Sequence, residues 1–246
     1  MVTDRGLADR REVWSLEFAR PDGTGGFARL SRRGAQASFS AALVSPTVGL
    51  VVVRGDGLSA PRDSRLVVVR GDGLWAEFVE ETKGEHWTVG LEAFGIRLDD
   101  PLDAERGERG ERLPVGFDLE WETGTGGFGE VHGDLLVATA RLGFDGTGHF
   151  EHESTRDEPF TRESRRLSWQ SRPDDGHIAR DGDVHVDVDG RGLPTAAGVG
   201  PLVFGVHALV IVPVAGRIIR ALVVGEAGCG WLEWCQPQSG VRPGPV

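Results

Sequence analysis

Apolar and polar side chains alternate one for one in segment after segment of this 246-residue chain. A period of two is what a strand with one buried face requires, and helical spacing is nearly absent. In VWSLEF, Trp14, Leu16 and Phe18 oppose Ser15 and Glu17. In VGFDLEWE, Val115, Phe117, Leu119 and Trp121 oppose Asp118, Glu120 and Glu122. HWTVGLEAFGIRL keeps Trp87, Val89 and Leu91 in one phase and Phe94, Ile96 and Leu98 in the other, which predicts a β-bulge near Ala93. The most apolar stretch, residues 201–225, is broken by His207, Pro213, Arg217 and Arg220 and reads as core strands, not as a membrane span. Asp100 before Pro101 is the one plausible helix start, inside a charged connector. The pattern predicts an all-β chain, an antiparallel barrel or sandwich.

Repetition suggests how the strands are grouped. LVVVRGDGL occurs at 50–58 and again at 66–74, as two strands ending in glycine turns; its RGD is ordinary turn chemistry. LEFARPDGTGGF (16–27) and LEWETGTGGF (119–128) each set a Leu-Glu-aromatic strand before the same GTGGF, and DGTGHF follows at 145–150. The reading is two similar β units, 12–98 and 115–237, joined by the charged connector 99–114, with flexible ends at 1–11 and 238–246.

Charge and cysteine usage narrow the partners. Thirty-eight acidic against 27 basic side chains give a net charge of −11, which repels nucleic acid and anionic membranes. The N-terminal MVTDRGLADRRE lacks the apolar core of a secretory signal, so a cytoplasmic location is expected. Cys229 and Cys235, roughly 20 Å apart if CGWLEWC is one strand at about 3.3 Å per residue, are expected to be reduced thiols.

Motifs for established chemistries fail on context. GTGGFG at 124–129 fits GxGxxG, but an acid-alternating strand precedes it and a strand follows, so it reads as a hairpin. HVDVDG at 185–190 would begin a calcium loop with His185 and end it on Ala196 where a carboxylate is needed. His149 and His152 point to opposite faces of a strand and make no metal pair. No GxSxG elbow is present. Neither a metal nor a cofactor is implied. If DGTG is a turn and GHFEHES the strand leaving it, Phe150 and His152 share one face and His149, Glu151 and Glu153 the other. Burying one histidine beside a phenylalanine costs less than burying three ionisable groups, so His152 is expected inside and the acidic set in water.

EHWTVGLEAFGIRLDDP (85–101), ERLPVGFDLEWE (111–122), VHGDL (131–135) and FDGTGHFEHESTRD (144–157) together resemble the carotenoid hydratase and AttH-like proteins, over about residues 12 to 170. The resemblance implies a lipocalin-like antiparallel barrel or sandwich built of two paired, lipocalin-related units. It also places His152 and Asp157 where that family has a histidine and aspartate associated with water addition to an isoprenoid double bond. EHESTRD departs from the family segment: Glu153 stands where serine is usual, the tryptophan has no counterpart, and one residue fewer precedes Arg156 and Asp157. The expected function is binding of a hydrophobic small molecule, an isoprenoid or acyl lipid, at a barrel mouth lined by Phe150, His152, Trp87, Trp121 and Trp169. The alternatives are a cofactor-free hydratase (lyase) using His152 and Asp157, and a structural β module without ligand. The sequence leaves the oligomeric state open.

Overall fold

The structure, a computed structural model, describes residues 10–59, 65–105, 109–156, 163–214 and 216–237. It is all-β, as the alternation predicts, and its strands form two antiparallel units. The first holds β1 (Arg10–Ala19), β2 (Gly25–Arg33), β3 (Gln36–Ser45), β4 (Gly49–Ser59), β5 (Leu66–Gly71), β6 (Leu74–Thr82), β7 (His86–Leu98), β8 (Glu111–Thr123), β9 (Phe128–Val137) and β10 (Ala140–Arg156). These ten close into a barrel in which β1 pairs with β10 from Ala19↔Thr147 to Arg10↔Arg156. The second unit is a curled seven-stranded sheet in the order β12-β11-β17-β16-β15-β14-β13. Its strands are β11 (Ser164–Gln170), β12 (His177–Arg180), β13 (Val184–Val188), β14 (Pro194–Val199), β15 (Leu202–Val214), β16 (Gly216–Gly225) and β17 (Gly228–Pro237). No helix among the described residues is long and apolar enough to cross a membrane.

This division corrects the expected boundary. Of the expected connector 99–114, residues 111–114 already belong to β8 and the rest lies between β7 and β8, which are neighbours in the barrel; the change of unit falls between β10 and β11. Within the connector, Pro101–Ala104 form a short 3-10 turn capped by Asp100, whose carboxylate accepts the Leu102 amide at 3.0 Å. Both GTGGF segments lie in the barrel, at the β1–β2 and β8–β9 hairpins, so that repeat is internal to the first unit. The third copy is no turn. DGTG runs in the middle of β10, and a Cβ on Gly148 would sit 2.6 Å from both the Glu17 carbonyl oxygen and a Val131 methyl, so glycine lets strands pass closely there.

The barrel changes circumference along its axis. At one end β4 pairs directly with β7, Leu50–Val52 against Ile96–Leu98, closing an eight-strand circuit of β1, β10, β9, β8, β7, β4, β3 and β2. At the other end the β5–β6 hairpin is inserted between β4 and β7, held to β4 by the single pair Ser59↔Arg70 and to β7 from Leu74↔Ala93 to Thr82↔His86. Eight strands give an interior that side chains just fill, and ten give a wider one. Trp14, Leu16, Phe18, Val89, Leu91, Phe117 and Leu119 are among the side chains packed inside.

The outer face of β1 to β4 carries a second core. Ala19, Phe27, Ala42, Val44, Leu50 and Val52 pack with Leu222, Trp231 and other residues of the second sheet. Trp231 stands edge-on to Phe27 at 5.6 Å, and its indole N–H donates to the Phe18 carbonyl at 3.1 Å. The second core also explains β7, where no register shift occurs near Ala93. Ile96 and Leu98 belong to the seam with the second sheet while Trp87, Val89 and Leu91 point into the barrel, so the apparent phase change is a change in what is covered. Phe94 itself is 53% exposed beneath the Arg112 guanidinium. Cys229 and Cys235 are free, buried thiols of β17. Replacing Trp231 with alanine removes a buried indole from the seam; it should lower unfolding free energy by about 3–5 kcal/mol in guanidinium titrations. A loss below about 1 kcal/mol would show that the seam does not hold the two units together.

Candidate functional site

The wide end of the barrel gathers most of the residues expected to bind a ligand. Phe150 and His152 lie on the inward face of β10. Phe150 is ringed by Trp87 at 4.5 Å in a stacked pose, Trp121 at 5.3 Å and Phe78 at 6.4 Å. His152, exposed at the rim, stacks on Trp14 at 4.7 Å and meets the edge of Trp87 at 6.2 Å. Partial covering of the ring lowers the His152 pKa, with Glu12 and Glu80 opposing and Arg32 reinforcing, which biases the imidazole towards its neutral form. The Arg32 guanidinium covers the Trp14 ring at 5.0 Å and is held there by Glu12. The buried indole N–H groups of Trp14 and Trp121 donate to no acceptor among the described residues.

Two expectations are corrected and one falls outside view. Trp169 is not at the barrel: it is buried in the second sheet on β11, stacked on His177 at 5.1 Å and beside Phe204 at 5.6 Å. The face of β10 opposite Phe150 does not meet water either. His149 is only 7% exposed and Glu151 is partly buried, because β11 of the second sheet crosses this face; Glu153 alone remains exposed. Asp157 lies outside the described residues.

That covered face forms a cleft of about 100 Å³ between the units, which sequence reasoning did not find. Its centre is Glu17 of β1, 4% exposed. The Arg166 Nη1 donates to both Glu17 oxygens at 3.3 and 3.1 Å, the Ser168 hydroxyl donates at 3.0 Å, and Arg220 Nη1 stands 3.4 Å away. Glu233 receives the other end of Arg220 and lies 3.8 Å from Arg29. Arg166 Nη2 lies 2.9 Å from His149 Nδ1. A guanidinium has only donors, so Nδ1 accepts and the ring proton sits on Nε2. The signal present in the sequence was the run of charged residues at outward positions, Glu17, Arg29 and His149, on strands whose outward face is buried.

Burial raises the Glu17 pKa, but the Arg166 and Arg220 guanidinium groups outweigh it and hold the carboxyl below its ordinary value. Glu233 is likewise pulled down to about 2, burial being overcome by Arg220, Arg29 and Arg166. Burial drives the His149 pKa down, with Glu17 opposing and Arg166 reinforcing. Glu151 is shifted the other way, raised by burial and by its hydrogen bond with Glu153. A carboxyl depressed on folding stabilises the fold above its unfolded value and loses that contribution as pH falls through the folded one. Stability should therefore fall between about pH 4.5 and about 2 as Glu17 and Glu233 are protonated. Thermal unfolding monitored by circular dichroism across that range checks it, and the slope should flatten in Glu233→Gln.

No protein-family model and no curated protein matches the chain. Among solved structures it is similar to kievitone hydratase from Nectria haematococca, 12% identical over 92% of this chain and 88% of that one, with a TM-score of 0.47. A porin-like protein from Bacteroides uniformis is 8% identical over 91% of this chain and 95% of that one, with a TM-score of 0.19. Neither likeness is close enough to carry an argument about function.

Proposed function

We propose that the wide end of the barrel binds a hydrophobic small molecule, an isoprenoid or acyl lipid that carries an oxygen acceptor. The observation supporting this is the aromatic set around Phe150 and His152, with two buried indole N–H groups, on Trp14 and Trp121, that lack an acceptor. Ligand sites are mostly apolar with a few polar groups that fix orientation, and an unpaired buried donor is costly until something accepts from it. The inserted β5–β6 hairpin supports the reading by widening the barrel at this end.

Binding is preferred to hydration on the chemistry around His152. Protonating an alkene needs a carboxylic acid kept in its neutral form. The rings in contact with His152 are Trp14 and Trp87; of the carboxylates that bear on it, Glu12 is paired with Arg32, and Glu80 accepts the Gly84 amide.

Titrating the protein with retinol and with oleate should quench tryptophan fluorescence saturably. His152→Ala, at the exposed rim, should weaken binding about tenfold, near the ~1.4 kcal/mol expected of one aromatic contact. Trp169→Phe and Asp157→Ala should leave the titration unchanged. Unsaturable quenching, or equal weakening by Trp169→Phe, would rule out the barrel end as the site. Conversion of an isoprenoid alkene to its alcohol, abolished by Asp157→Ala, would overturn binding in favour of a hydratase.

A further inference from the structure

The outer wall behind the aromatic end of the barrel carries carboxylates and two histidines. β7, β8 and β9 bring His86, Glu120, Glu122, Glu130 and His132 together there, with His86 directly opposite Glu122, Glu122 opposite Glu130, and Glu120 opposite His132. Glu120 and Glu122 are two apart on β8 and so share one face. Among the described residues neither of them pairs with an arginine or a lysine. Like charges directly opposite each other on a sheet, as Glu122 and Glu130 are, destabilise the pairing, and a cation beside them relieves it.

The two imidazoles are placed differently. His132 has a carboxylate on each ring nitrogen, Glu130 at 3.2 Å from Nε2 and Asp145 at 3.3 Å from Nδ1. His86 has no such arrangement at Nε2. Its side chain is 30% exposed, yet Nε2 is shut off from solvent and makes no hydrogen bond among the described residues. Glu120 Oε2 stands 3.7 Å from it, beyond the roughly 2.7–3.2 Å of a hydrogen bond. The Glu122 carboxylate completes the group: one ligand atom from each of the three residues, all within 4.8 Å of one another.

That spacing suits ligands that share an ion. Zinc binds imidazole nitrogen and carboxylate oxygen at about 2.0–2.2 Å, so two ligands on one edge of a tetrahedron stand about 3.4 Å apart. The gap between His86 and Glu120 is slightly longer, and rotation of an exposed glutamate closes it. The imidazole separates this group from an ordinary acidic patch. Calcium and magnesium take oxygen ligands, whereas imidazole suits zinc, copper and nickel. The two carboxylates balance the charge of a divalent ion.

We propose that His86, Glu120 and Glu122 form a zinc-type metal site on the outside of the barrel, with water in the fourth position. It is independent of the ligand proposed for the barrel interior but uses the same strands. Trp87 follows His86, Trp121 lies between the two glutamates, and both rings point inward. The ion ties β7 to β8 at the wide end.

Isothermal titration calorimetry of the untagged full-length chain with zinc chloride tests the assignment. One saturable site that depends on these residues is expected. His86→Gln and Glu122→Gln should each weaken it at least about tenfold, because losing a ligand costs no less than losing an outer-shell partner. His132→Gln, whose ring is already committed to Glu130 and Asp145, should stay within about twofold. Saturating zinc should raise the thermal midpoint of the parent chain and not that of His86→Gln. Circular dichroism verifies folding, and Glu120→Gln replaces any variant that does not fold. Absence of saturable zinc binding, or binding unaltered by His86→Gln, overturns the proposal. Equal weakening by His132→Gln overturns the choice of ligands, and calcium binding as tightly as zinc overturns the zinc-type assignment.

Discussion

A carboxylate buried on the outside of a barrel, Glu17, is the constraint around which the two units are arranged. Outward positions of a barrel strand ordinarily face solvent, and most of those on β8 do. On β1, from Val13 to Ala19, they do not, and Glu17 can remain ionised there only because the second sheet brings Arg166, Arg220 and Ser168 to it. Ion pairs of this kind add little net stability over apolar packing of the same volume. What they impose is a penalty on every other placement: sliding the second sheet by one residue along its strands would turn Arg166 away and leave Glu17 charged and alone. Apolar burial at Phe27, Leu222 and Trp231 supplies the adhesion, and the charges fix where it happens.

Strand β10 is a wall of both regions. Its inward side chains, Phe150 and His152, belong to the aromatic end of the barrel, and its outward ones, His149 and Glu151, belong to the cleft. The period of two that defines a strand thus separates an apolar environment from a charged one across a single backbone. Both histidines are pushed towards neutrality by burial, but the surroundings differ: rings for His152, a guanidinium for His149.

What could be read from the sequence was set by how local the cause was. Alternation in residues 115–122 reports one dry face and one wet face, and β8 has both, so its inward residues were legible one by one. The aromatic grouping of Trp87, Trp121 and Phe150 followed from the same logic. Ile96 and Leu98 were misread as a bulge because the layer that covers them comes from strands more than a hundred residues later. Glu17 and His149 were assigned to water for the same reason. Trp169 failed differently: it was grouped with the barrel-mouth aromatics, and nothing local to it tells which unit its ring packs in. The DGTG of residues 145–148 carried the composition of a turn but serves as a place where β1 and β10 pass closely.

The closure of β1 on β10 also sets an order in time. Arg10 meets Arg156 and Ala19 meets Thr147, so β1, made before the other nine barrel strands, waits for β10 before its second edge is paired. Loop-closure entropy makes such distant pairing slow, and an unpaired strand edge is a template for other chains while it waits. Along this edge the nascent chain presents Arg11, Glu12, Ser15 and Glu17 among its apolar residues. Until β11 and β16 have been made, those charges are hydrated and keep the waiting edge unattractive to other strands; afterwards Glu17 becomes the anchor of the seam.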